Sequence, residues 1–247
     1  MRTNNPALNE RVYDQAGHVT GAGAMTVNGT VLKTGFLTLL LVAAGAWSWN
    51  QITGNTAPAW FGPALKFGWI LPLLTALAIG FMPRTAPWLS PVYAVTKGVI
   101  LGIISAYFEN LYNGIVFTSV LLTLGVLFAI LGAYLTGVLR ATPMFRKIVI
   151  GATLGVALFY LAAWGLSMFG IQIPGLFGNG LVGIGFSLFV VVLAAMNLVM
   201  DFDFIEQGAA AQAPKYMEWY GAFGLLVTLV WLYIEILRLL AKLRSRD

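Results

Sequence analysis

Seven apolar runs follow one another along the chain, at 31–49, 60–82, 91–110, 115–139, 148–169, 181–203 and 219–241. A helix needs about 20 mostly apolar residues to cross a hydrocarbon core of about 30 Å, and these runs approach or exceed that length. Short stretches separate them: "NQITGNTAPA", "PRTAPWLSP", "NLYNG", "RATPMFRK" and "GIQIPGLFGNG". Pro and Gly gather there because neither supports a helix interior well. The pattern predicts an all-α membrane protein with seven transmembrane helices. It divides the chain into a polar N-terminal arm at 1–30, a transmembrane domain at 31–241 and a short basic tail at 242–247. The arm has no apolar core of signal-peptide type.

Composition agrees. Of 247 residues, 59% are hydrophobic and 9% charged, against roughly 45–50% and about 25% in soluble domains. The lipid bilayer is therefore the expected partner. The net charge of +5 does not point to nucleic acid, because the basic residues sit singly at the ends of apolar runs. Trp47, Trp49, Trp60, Trp88, Trp219 and Tyr220 also lie near those ends, where amphipathic rings favour the headgroup zone. There is no cysteine, which excludes disulfides, thiolate metal sites and cysteine nucleophiles.

Arg2, Arg11, Arg84, Arg140, Arg146 and Lys147 fall on one side if every run crosses, while 50–59 and 170–181 carry no charge. Basic residues mark the cytoplasmic face, so the N-terminus is expected inside. Seven crossings then put Lys242, Arg244 and Arg246 outside. Either that tail is tolerated there, or the last segment does not fully cross. Two glycine pairs one turn apart, Gly98/Gly102 and Gly151/Gly155, suit close approach of helix backbones, within the chain or between copies.

Charged groups inside apolar runs are costly, about 2.5–3.5 kcal/mol at mid-bilayer on insertion scales, and are functional candidates. Lys66 and Glu109 lie in the second and third runs and could form an ion pair or line a polar cavity. Lys97 is expected to snorkel to the inner face. Glu235 and Arg238 are three residues apart on one helix face and could pair locally; Thr228 and Trp231 share that face.

The sixth run ends in three acids, Asp201, Asp203 and Glu206, a third of the nine in the chain. On a continued helix Asp201 and Asp203 are about 200° apart and cannot share a face. Asp201 falls one turn below Asn197, forming a polar stripe expected to face the protein interior. Asp203 and Glu206 would then point to water. Alternatively all three are solvated loop acids. Carboxylates at a helix C-terminus oppose its macrodipole, so a basic partner, a cation or a proton is expected to hold them.

The stretch "MDFDFIEQGAAAQAPKYMEWYGAFGLLVTLVWLYIEILRLL" resembles the last two helices of the Bax inhibitor-1-like family in its bacterial branch. "NPALN…TVNGTV", "ISAYFENLYNGIVFTSVLLTLGVLFAILGAY" and "RATPMFRK" extend the resemblance over most of the chain. It implies a bacterial plasma (inner) membrane protein of seven helices, the last central and the other six packed around it. Better-studied relatives are regarded as pH-sensitive calcium leak channels whose sensor is a pair of aspartates. Asp201 matches the first, since relatives read Asp-x-Gln-x-Ile where this chain has Asp201-Phe-Asp203-Phe-Ile205. The second falls at Thr228, which cannot titrate. In some relatives a basic residue on the second helix latches the aspartate, a role not carried over to Lys66, which is nearer the outside.

The resemblance implies cation passage, with protonation near Asp201 as its control. No resident cofactor is expected beyond weakly bound calcium at Asp201, with oxygens from Asp203, Glu206 and the Asn197 amide beside it. The alternative is a regulator that binds another membrane protein, such as a membrane protease, through its acidic loop and basic tail. An enzyme is not expected. The single histidine, His18, is in the polar arm, no His-Glu metal signature exists, and Asp201 and Asp203 point apart.

Overall fold

The computed structural model of the chain describes residues 23–53, 62–63, 67–170 and 178–245. Most of the polar arm, with Arg2, Arg11 and His18, lies outside them, as do Trp60 and Lys66. The described residues hold seven α-helices: α1 (Val27–Thr53), α2 (Ile70–Phe81), α3 (Ala86–Leu111), α4 (Ile115–Leu135), α5 (Pro143–Met168), α6 (Leu181–Ala210) and α7 (Met217–Arg244). A 3-10 turn at Pro83–Thr85 leads into α3.

Six of these, not seven, are long and apolar enough to cross a membrane. Among its described residues, the expected second span at 60–82 yields one helix of more than a turn, α2, with 12 residues. At 1.5 Å per residue that is about 18 Å, well short of a hydrocarbon core of about 30 Å. The sequence shows why α2 starts late. Gly68 lies in the turn before it, and Pro72 sits in its first turn, where a missing N–H breaks no helical hydrogen bond. The seven-span architecture is therefore corrected to an all-α bundle with six long apolar helices among the described residues. Burial does not single out the last helix as a centre either. Half of the most apolar stretch of 83–111 is buried, and half of that of α7.

The chain folds as two units, Met1–Leu111 with Phe204–Val227, and Tyr112–Asp203 with Thr228–Asp247. In the first, α1 and α3 meet through glycine. A side chain on Gly98 would strike the Leu41 carbonyl, and one on Gly102 the Gly45 carbonyl and the Ser48 hydroxyl. The Ser48 hydroxyl donates across the seam to the Val99 carbonyl at 2.9 Å. Contacts rise together in sequence, 41 with 98 and 48 with 102, as in parallel helices. The start of α1 is tied to the turn before α7: Met25 N donates to the Ala213 carbonyl at 2.6 Å and Lys215 N to that of Gly23 at 2.8 Å. Tyr93 on α3 packs edge-on against Phe223 on α7, centroids 5.0 Å apart.

The second unit shows apolar side chains turned outward, as lipid surroundings require. On α4, Phe117, Phe128 and Leu135 are exposed while Ser119 and Thr123 are buried. Their hydroxyls donate to the carbonyls one turn back, at 2.8 and 2.7 Å. α5 begins with Thr142 as cap, accepting from Phe145 N at 3.2 Å, with Pro143 in the first turn. Along α5 the residues Arg146, Thr153 and Tyr160 recur every seven positions, the spacing that keeps one face on a neighbour. Arg146 pairs with Asp203, Thr153 accepts from Asn197, and Tyr160 meets Phe186 edge-on. As numbers rise on α5 they fall on α6, so these two helices are antiparallel. Gly151 and Gly155, by contrast, have nothing within 4 Å of where a side chain would stand.

Candidate functional site

The three acids at 201–206 are helical, because α6 runs on to Ala210. They are not loop acids. What lets the helix continue past them is partnership. The Arg146 guanidinium pairs with Asp203, supplying the positive charge that a helix C-terminus otherwise lacks a match for. Asp203 is thus tied to a base rather than simply solvated. Glu206 is exposed.

Asp201 turns the other way and is buried, with 7% exposure. One turn earlier, the Asn197 amide donates at 2.9 Å both to Thr153 Oγ1 and to the Leu193 carbonyl. The hydroxyl of Thr228 on α7 hydrogen-bonds the Asp201 carboxylate. The other oxygen, Oδ2, is inaccessible to solvent and has no hydrogen-bond partner among the described residues. Leaving a buried polar atom unpaired is costly, about 1–3 kcal/mol. The position that should hold a second carboxylate in the resemblance therefore does face Asp201, but with a hydroxyl.

α7 carries a buried polar stripe at seven-residue spacing, Thr228, Glu235 and Lys242. Arg238 Nη1 lies 3.0 and 3.2 Å from the two Glu235 oxygens. It also donates to the Tyr160 hydroxyl at 3.0 Å, and that hydroxyl donates to Glu235 Oε1 at 3.2 Å. Lys242 Nζ donates to the Gly183 carbonyl at 3.0 Å. Lys97 and Glu109 are half-buried, and a pairing of Glu109 with Lys66 lies outside the described residues. No group of three or more His, Cys, Asp or Glu that could hold a metal occurs among the described residues. The structure does not gather Asp201, Asp203 and Glu206 around one point.

A further acid, Glu218, could stand in for the carboxylate missing at Thr228 only if its loop folded back towards Asp201; the structure pairs it with other residues instead. Glu218, at the first turn of α7, is wholly buried. Its carboxylate pairs with Lys33 and, at 2.9 Å, with Lys215. It also accepts from the Thr26 N–H at 2.9 Å and the Thr26 hydroxyl at 2.8 Å. Thr26 in turn caps α1, its Oγ1 accepting from Gly29 N at 3.0 Å. In a capping box the third helical residue is an acid that reaches back to the cap N–H. Here that residue is Gly29, and Glu218 provides the carboxylate from a remote helix. The available signal was a Thr-x-x box missing its acid.

A search of curated proteins and of solved structures returned no match. The model of the family described as "Bax inhibitor 1 like" matches residues 5–245, which takes in every feature above. The multi-span helical architecture and this match over nearly the whole chain place the protein in the membrane, as a member of the Bax inhibitor-1-like family.

Proposed function

We propose that this protein is a passive pathway for cations, calcium foremost, across the bacterial plasma membrane, modulated by protonation at Asp201. The supporting observation is the state of that carboxylate: buried, bonded through one side to Thr228, and with Oδ2 lacking a partner among the described residues. Such a group behaves differently in its two forms. The anion offers only acceptors and a full charge to a cation, whereas the acid carries a hydrogen that can itself donate. Gain or loss of one proton thus rewrites the local hydrogen bonding without any second carboxylate. On this reading the chain makes and breaks no covalent bonds, and its N-terminus is cytoplasmic.

The test is calcium entry into dye-loaded liposomes holding purified protein, on the acidic and the alkaline side of neutrality. Wild-type flux should change between the two conditions, and Asp201→Asn should abolish that difference. Absence of flux above empty liposomes in both, with folded protein, overturns the proposal and favours a regulator that binds another membrane protein.

A further inference from the structure

We propose that the Glu235 carboxylate is an inorganic-cation site of the second unit, filled by the Arg238 guanidinium in the structure as it stands. The geometry at Arg238 Nη1 carries this. A single positive nitrogen is surrounded by three oxygens: Glu235 Oε1 at 3.0 Å, Glu235 Oε2 at 3.2 Å and the Tyr160 hydroxyl at 3.0 Å. Paired carboxylate oxygens with a neutral oxygen beside them are part of the donor set of about six to eight oxygens that a hard cation takes at about 2.3–2.6 Å, water completing the rest. The oxygens would need to close by roughly 0.6 Å on such an ion.

The two partners are not equally fixed. The Glu235 side chain is 3% exposed, that of Arg238 38%. The acid is held by burial, while the arginine side chain is partly exposed and its guanidinium rests 5.5 Å from the centroid of the Tyr160 ring. A buried carboxylate that stays ionised requires positive charge close by, and that charge can come from the tether or from solution. Among the described residues three acids are buried, Asp201, Glu218 and Glu235. Glu218 is saturated by Lys33, Lys215 and Thr26. Glu235 is hydrogen-bonded by one arginine and one tyrosine, with the charge of Lys242 also acting on it. It stands seven residues beyond Thr228, the Asp201 partner, on the same face of α7, about 10 Å along the axis.

The inference deepens the proposed cation pathway, and occupancy can be measured without flux. Thermal unfolding of detergent-purified protein would be followed in calcium chloride and in choline chloride of matched ionic strength. Arg238→Gln should gain a calcium-dependent rise in melting temperature of about 2–4 °C once calcium is several times its dissociation constant. Arg238→Gln combined with Glu235→Gln should lose that rise. In the liposome assay Arg238→Gln should also raise calcium entry severalfold. An unchanged melting temperature in folded Arg238→Gln overturns the Glu235 site and leaves the role of Asp201 untouched. Should Arg238→Gln fail to fold, Arg238→Lys substitutes one ammonium for the guanidinium fork and should show a smaller rise; no rise there overturns the site as well.

Discussion

Glu218 fills the space that a side chain on Gly29 would need. A methyl group built there would run into the carboxylate itself, so the absence of a side chain on α1 and the presence of an acid on α7 are one feature.

Gly29→Ala should therefore destabilise, although alanine is the better helix former. Overpacking of this kind costs about 1–3 kcal/mol, more than the gain of about 1 kcal/mol in helix propensity. Gly35→Ala is the control, because nothing lies within 4 Å of that position. Thermal unfolding in detergent should show a lower midpoint for the first and an equal or higher one for the second.

The cluster around Glu218 should lose stability unequally when dissected. Glu218→Gln keeps an oxygen for Thr26 but leaves Lys33 without its counter-charge, and breaking a buried pair from one side costs about 3–5 kcal/mol. Lys215 is half exposed, so Lys215→Met should cost only about 0–1 kcal/mol. Denaturant unfolding of both variants gives the order, and equal losses would refute the burial argument.

Thr228→Val removes the one described donor to the Asp201 carboxylate, at a cost of about 1–3 kcal/mol. In Asp201→Leu that hydroxyl is no longer needed by an acid. Adding Thr228→Val to Asp201→Leu should thus cost less than adding it to wild type. A double-mutant cycle should return a coupling energy of about 0.5–3 kcal/mol, and strict additivity would mean the two do not interact.

Gly102→Ala drives a methyl into the Gly45 carbonyl and should prevent α1 and α3 from closing, whereas Gly151→Ala meets open space. Gel filtration of the purified proteins should find the second variant monodisperse and the first aggregated or poorly recovered. The two glycine pairs look alike in sequence, so this comparison separates a packing seam from a spacing coincidence.

That contrast also marks how far the sequence could be read. Helix identity was legible, because apolar runs and breakers follow from the bilayer's own thickness. Asp201 could be turned inward from its register with Asn197 alone. The length of α2 could not, since Gly68 and Pro72 are tolerated inside many membrane helices. Nor could the continuation of α6, for the base that neutralises Asp203 comes from Arg146, 57 residues away. The setting of Glu218 was hidden for the same reason: besides Lys215, a neighbour on its own segment, its partners Thr26 and Lys33 are 192 and 185 residues distant, and no local pattern announces those two.

The remote cap has a consequence for biogenesis. Synthesis at about 5–20 residues per second puts roughly 10–40 s between the emergence of Thr26 and that of Glu218. Throughout that interval the nascent first helix has neither its borrowed cap nor a counter-charge for Lys33. A chain truncated before the last helix never acquires them. The start of the first helix is therefore completed only once the last helix has been made.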